Sequence, residues 1–203
     1  MRLTFKTKLA RPSWLFGLAW ITLAGCSGTT PPPAPPAPPP TTPVIHQLRV
    51  SQLASLSLTD AGVDTILIDA TTVAQTNDGP GDLACGVGVA RTGGVATFAS
   101  PSIINSSADL NDVLALPGNV KVVNQINWCG GFSPNIIGCA PIPGTSLVVV
   151  RFTANQEGIL WLHEFGHNQG LDHRNHPNAV MNPTIAPTRR FVDATECNAY
   201  RAP

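Results

Sequence analysis

Three of the chain's five histidines fall in one eleven-residue stretch, His163-Glu-Phe-Gly-His-Asn-Gln-Gly-Leu-Asp-His173. On a helix, residues four apart share a face, so His163 and His167 would aim two imidazoles at one point. Glu164 follows the first of them directly. It cannot ligate from that face, but it can reach a water held there and accept its proton. Gly170 stands where a helix ends in left-handed backbone, and a chain that turns back there can bring in His173 as a third ligand. Three neutral imidazoles with an open fourth position are the donor set of a catalytic zinc, Zn2+. Such an ion polarises a substrate carbonyl and lowers the pKa of a water toward ~7. With this chain's residue frequencies, the five fixed positions would coincide by accident on the order of once in 10⁵ such chains. A purely structural zinc would fill its fourth position with protein and would have no use for Glu164.

The constellation needs a helix beneath it, and residues 156 to 169, with Asn155 as cap, can form one. Upstream, residues 46–53 (HQLRVSQL) read as a strand. Thr59 or Asp60 then caps a second helix, whose apolar stripe is Val63, Ile66, Leu67, Ala70 and Val73. Asn77 to Asp82 is a turn cluster. Asp78 and Asp82 could be taken for calcium ligands, but the alternating Gly and Pro account for them as a turn. Short strands are expected at 84–90 and 95–99, and a short helix at 107–116 ended by Pro117-Gly118. Residues 120–127 and 146–152 read as strands, separated by the loop WCGGFSPNIIGCAPIPGT. Trp128 and Trp161 are expected in the core, and His46 and His176 at the surface or at strand ends. Strands and helices in this order point to an α+β (α/β-like) domain.

Only 12% of residues are charged, where about a quarter is usual. Four basic residues (Arg2, Lys6, Lys8, Arg11) precede residue 25, leaving eight basic against twelve acidic beyond it. No basic stripe remains, which excludes nucleic acid as a partner. The basic start is followed by an apolar run, Trp14 to Leu23, too short to span a bilayer. Leu23-Ala-Gly-Cys26 resembles the bacterial lipobox. The resemblance implies a leader over residues 1–25 and lipidation of Cys26, an anchor to which each buried methylene contributes about 0.8 kcal/mol. Ser27 resembles the sorting residue of lipoproteins sent to the outer membrane of Gram-negative bacteria. Residues 31–43 hold nine of the twenty prolines, so the segment 26–43 reads as anchor and spacer, with a polyproline reach of roughly 40 Å. The folded domain is then 44–203. Cys85, Cys129, Cys139 and Cys197 remain, and an oxidising compartment favours two disulfides. Three pairings are open. Cys129 with Cys139, across the Gly/Pro-rich loop, and Cys85 with Cys197 is the favoured one.

The stretch 163–173 is similar to H-E-x-x-H-x-x-G-x-x-H, the signature of the metzincin zinc peptidases. Met181, within Asn178-Ala-Val-Met-Asn-Pro183, resembles the methionine turn beneath the ligands of that family, in the wording of its matrixin-type members. The resemblance implies a zincin domain with a twisted mixed sheet, an active-site helix, a second helix and a small C-terminal subdomain after the glycine turn. It implies one catalytic zinc on His163, His167 and His173, with Glu164 as base toward water and then as acid toward the leaving amine. Pro183 would help wall the specificity pocket, and a peptide or protein substrate would lie extended along a sheet edge. Asp172, Asp193 and Glu196 are unranked candidates to orient the imidazoles, and the favoured reading of each is a solvated or capping carboxylate. Asn182 departs from the tyrosine many matrixins carry, and Arg174 has no counterpart. Cys85-Gly-Val lacks the residues of a propeptide cysteine switch. Two other readings use the same scaffold: a surface lipoprotein that binds a partner with little turnover, and a narrow amidase acting on cell-wall peptides. Glu164 favours an enzyme, since a binding scaffold could lose it.

Overall fold

A computed structural model describes residues 42–203. The expected leader, the lipidated Cys26 and the proline run up to residue 41 lie outside the described residues. The strand expected at 46–53 is two strands, β1 (Val44–Leu48) and β2 (Val50–Leu53), broken at Arg49. Helix α1 (Asp60–Gln75) begins at Thr59, whose hydroxyl accepts from the Gly62 N–H at 3.1 Å. Its buried side is the expected stripe with Ala74 added. There follow β3 (Val87–Arg91), β4 (Ala96–Phe98), β5 (Ile103–Ile104) and α2 (Ser107–Ala115), capped by Ser106. The next expected strand is also two, β6 (Val120–Val123) and β7 (Gln125–Trp128), broken at Asn124. Then come β8 (Phe132–Ile136), β9 (Gly138–Cys139), β10 (Leu147–Val150), α3 (Ala154–Asn168) and α4 (Ala194–Tyr200).

The central sheet has the order β4-β2-β6-β10-β9, parallel except for β9, which runs antiparallel to β10 at one edge. The breaks at Arg49 and Asn124 have one cause. Each long segment leaves the central sheet there and pairs elsewhere: β1 with β3, and β7 with β5 and β8. The Arg49 carbonyl turns aside to accept from Asn119 and Val120, and the Asn124 N–H donates to Ser102. A pattern of apolar residues shows that a strand exists but not which neighbour it changes to, so neither break is visible in the sequence.

The apolar run of β10 has no polar alternation because both its faces are covered. Leu147 and Val149 enter the larger core with α1 and α3, while Val148 enters a second core beneath α2. Trp161 is buried as expected, and Trp128 is only half-buried. Helix α3 starts earlier than expected, with Thr153 rather than Asn155 at the cap and no side-chain bond from it. Its first turn is held by Glu157 instead. That buried carboxylate pairs with Arg151 at 2.6 and 3.1 Å and accepts from the Phe152 N–H at 3.1 Å.

Both favoured disulfides form, with separations of 112 residues for Cys85–Cys197 and 10 for Cys129–Cys139. Loop-closure entropy assigns about 5 kcal/mol to the longer and about 3 to the shorter. No helix among the described residues is long and apolar enough to cross a membrane.

Lys121 is the unexpected core residue. It is fully buried on β6, where its ammonium donates to the carbonyls of Leu114 and Gly118 and to the Ser146 hydroxyl, closing the loop after α2. Burial pushes its pKa down to about 8, against roughly 10.4 in an unfolded chain. Between those values the unfolded state binds the extra proton, so stability rises with pH across that window and this contribution is flat below it. The free energy of urea unfolding should therefore increase from pH 7.5 to 10 relative to a Lys121→Met variant, by up to about 3 kcal/mol. Parallel pH profiles for the two would show that the site does not discharge the amine.

Candidate metal centre

Helix α3 is buried all round from Glu157 to Asn168, so its polar residues must be satisfied within the protein. The helix ends as its glycine predicts. Gly170 has φ 86°, its N–H donates to the His167 carbonyl at 2.9 Å, and the Leu171 N–H donates to Gly166 at 3.0 Å. This double bond pattern is the Schellman closure. It turns the Leu171 carbonyl back toward the helix, where it lies 2.7 Å from His167 Nδ1. The Val180 carbonyl lies 2.8 Å from His163 Nδ1. A carbonyl can only accept, so both Nδ1 atoms carry the hydrogen and both Nε2 atoms are bare lone pairs.

Those two Nε2 atoms face each other at 3.1 Å. His173, exposed, completes the group, and the donor atoms of the three lie within 4.8 Å of one another. Three imidazoles converging on one point, two of them lone pair to lone pair, fit a divalent cation with nitrogen preference such as zinc. Burial pushes His163 down to about 4 and lowers His167 as well. Both are thus held in the uncharged form that ligates. The same burial pushes the Glu164 carboxyl up to about 8. A cation beside it would favour the carboxylate again.

Backbone carbonyls hold two of the three rings, and the three candidate carboxylates take the solvated and capping roles favoured for them. Asp172 is exposed, and Asp193 and Glu196 form the capping box of α4. Glu196 has a further task that the sequence did not disclose. Buried, it takes a two-point bond from Arg174 at 2.7 and 2.9 Å, and Arg174 also donates to the Phe191 carbonyl at 3.0 Å. The residue after His173 is therefore clamped to α4, and α4 is cross-linked to the body through Cys197. Proximity to the third histidine was the only signal for Arg174.

Met181 is fully buried. Its sulfur packs where Gly166 lacks a side chain, since a β-carbon there would lie 2.5 Å from Met181 Sδ and 2.7 Å from the Tyr200 hydroxyl. Tyr200, the chain's single tyrosine, is fully buried and donates to the Leu162 carbonyl at 3.0 Å, with Met181 Sδ at 3.4 Å. Asn182, at the position of departure, accepts from the Thr184 N–H at 3.1 Å and donates to the His176 carbonyl at 2.9 Å, shaping the turn into Pro183. The outlying candidates do not join the centre. His46 bonds the Tyr200 carbonyl at 2.7 Å, and His176 stacks on Phe191. Asp82 is buried and accepts from the Asp78, Leu83 and Val192 N–H groups, while Asp78 pairs with Arg190. Both behave as the turn reading requires.

A cleft of about 580 Å³ opens over the three histidines and Glu164. One wall is β8 and β9, with Ile136, Ile137 and Gly138, and the other is Pro183 to Ile185. Its lining is apolar apart from the site residues, Asn135 and Thr184.

Residues 150–197 match the family model described as Matrixin, about a quarter of the chain. No curated protein matches the sequence. Among solved structures the chain is similar to archaemetzincin from Methanopyrus kandleri, at 15% identity and TM-score 0.52, over 81% of this chain and 96% of that one. It is also similar to mirolysin in complex with a compound, at 12% identity and TM-score 0.58, over 80% and 91% of the two chains. A promirolysin mutant from Tannerella forsythia aligns at 11% identity and TM-score 0.58, over 80% of each. The fold is of the metzincin type. The Matrixin match spans α3, the turn to His173, Met181 and the first half of α4, the segment whose geometry is described above.

Replacing Arg174 by Met should leave Glu196 buried and unpaired. Because Arg174 is partly exposed, the expected loss is at the low end for a buried pair, about 2 to 3 kcal/mol by denaturant unfolding. An unchanged midpoint would show that the clamp contributes nothing.

Proposed function

We propose that this chain is a zinc-dependent endopeptidase, exported and held to the outer membrane of a Gram-negative bacterium by lipid on Cys26. The observation that carries the enzymatic reading is the convergence of three imidazoles, two of them with bare Nε2 atoms, beside a buried carboxylate at the floor of an open cleft. His163, His167 and His173 would hold the ion. When bound, zinc supplies Lewis-acid chemistry, polarising the scissile carbonyl and acidifying a water.

The chain's own residues supply the rest. Glu164, with its carboxylate against β9, accepts a proton from the attacking water and returns it to the leaving amine. Its burial keeps that proton from exchanging freely with solvent between the two transfers. Among the described residues Gly138 and Cys139 pair on one side only, with β10, an edge to which an extended peptide can add as a further strand. The apolar wall contributed by Pro183 and Ile185 then faces a substrate side chain, favouring uncharged residues next to the cut. The apolar run and lipobox-like Leu23 to Cys26 support export and anchoring, and the proline spacer would lift the domain from the membrane surface.

Zinc-loaded wild type should cleave members of a peptide library, and Glu164→Ala should lose on the order of 10²- to 10⁴-fold in kcat with its zinc retained. Equal cleavage by the two proteins, or none by the zinc-loaded wild type, would refute the peptidase reading.

A further inference from the structure

Gly138 lies on β9 at the point where that edge strand passes over Glu164. A β-carbon built on it would sit 2.6 Å from Glu164 Cδ and 2.7 Å from Cγ, with Oε1 nearer still. The conformation does not call for glycine, because Gly138 is not among the residues of positive φ. The three atoms nearest to such a side chain all belong to Glu164.

Neither backbone can give way. Gly138 is paired with Val149 of β10, and the preceding Ile137 carbonyl accepts from Val150 at 3.0 Å. The following residue, Cys139, is buried and bonded to Cys129. On the other side, the backbone of α3 is fixed, every residue from Glu157 to Asn168 being buried. The only atoms free to move are those of the Glu164 side chain, and their movement takes the carboxylate out of its place beside the histidines.

We infer that Gly138 is a positioning residue for Glu164: its bare α-carbon forms the slot that holds the carboxylate under the substrate edge. The kinetic consequence rests on the peptidase reading above, whereas the slot itself does not. A reacting group displaced by about 1 Å costs on the order of 100-fold in rate, so a single methyl at this position should act through kcat.

Two measurements test this independently. In the first, thermal midpoints are compared for wild type, Gly138→Ala, Glu164→Ala and the double variant. Gly138→Ala should lower the midpoint when Glu164 is present and leave it unchanged when Glu164→Ala has vacated the slot. An equal drop in both backgrounds overturns the inference, whether or not the protein is active. In the second, kcat, KM and zinc content are read on a peptide that wild type cleaves. Gly138→Ala should reduce kcat at least tenfold with KM and zinc content held. It should cost far less in a Glu164→Asp background, where the shorter arm withdraws from the added methyl. A rise in KM with kcat unchanged would place Gly138 in substrate pairing only and overturn the positioning role. If wild type cleaves nothing, the peptidase reading fails and the thermal comparison alone decides the slot.

Discussion

Two imidazoles on a buried helix point their lone pairs at each other across 3.1 Å, and much of the surrounding structure exists to keep them there. Each ring could relieve the repulsion by moving its hydrogen to Nε2, but then Nδ1 would face a carbonyl with no hydrogen to give. The Leu171 and Val180 carbonyls therefore set the tautomers. They do so only because Gly170 turns the chain back at the helix end and because the methionine turn delivers Val180 to the far side. Coordination by a cation removes the repulsion and uses both lone pairs.

Burial of α3 carries this constraint into the electrostatics. The same loss of water that keeps His163 and His167 uncharged also favours a neutral Glu164. A divalent ion suits the first and reverses the second, so an ionised carboxylate goes with the metal-loaded state. Support for the centre comes from beneath and behind. Tyr200 and Met181 fill the space that Gly166 leaves, and Arg174 ties the ligand turn to α4, which the disulfide at Cys197 ties to the body. A helix of seven residues thus stiffens a site to which it gives none of the three histidines.

The site was more legible in the sequence than the sheet. Histidines at fixed spacing on one helix, a glycine at the turn and a methionine eight residues later are local relations, and local relations survive without knowledge of the fold. The stripe of α1 was readable for the same reason. The breaks at Arg49 and Asn124 were not, because they follow from a change of pairing partner that no single segment records. The cap of α3 was misassigned to Asn155, since the helix starts at Thr153 without a side-chain cap and the buried Glu157 instead ties its first turn to Arg151 and the Phe152 N–H. The backbone carbonyls behind two of the imidazoles were not legible, because a carbonyl has no letter in the sequence. Gly138 went unremarked for a similar reason: its partner is twenty-six positions away, and only the three-dimensional approach of β9 to α3 gives a missing side chain a meaning.

Metal content decides most directly whether these three histidines form the centre described. The purified domain, stripped and then dialysed against a slight excess of zinc, should retain one zinc per chain by elemental analysis. Its X-ray absorption edge should show imidazole nitrogen at about 2.0 Å, and His173→Ala, folded by circular dichroism, should lose the ion. A wild type that holds no zinc, or a His173→Ala variant that binds it as tightly as wild type, would contradict the assignment.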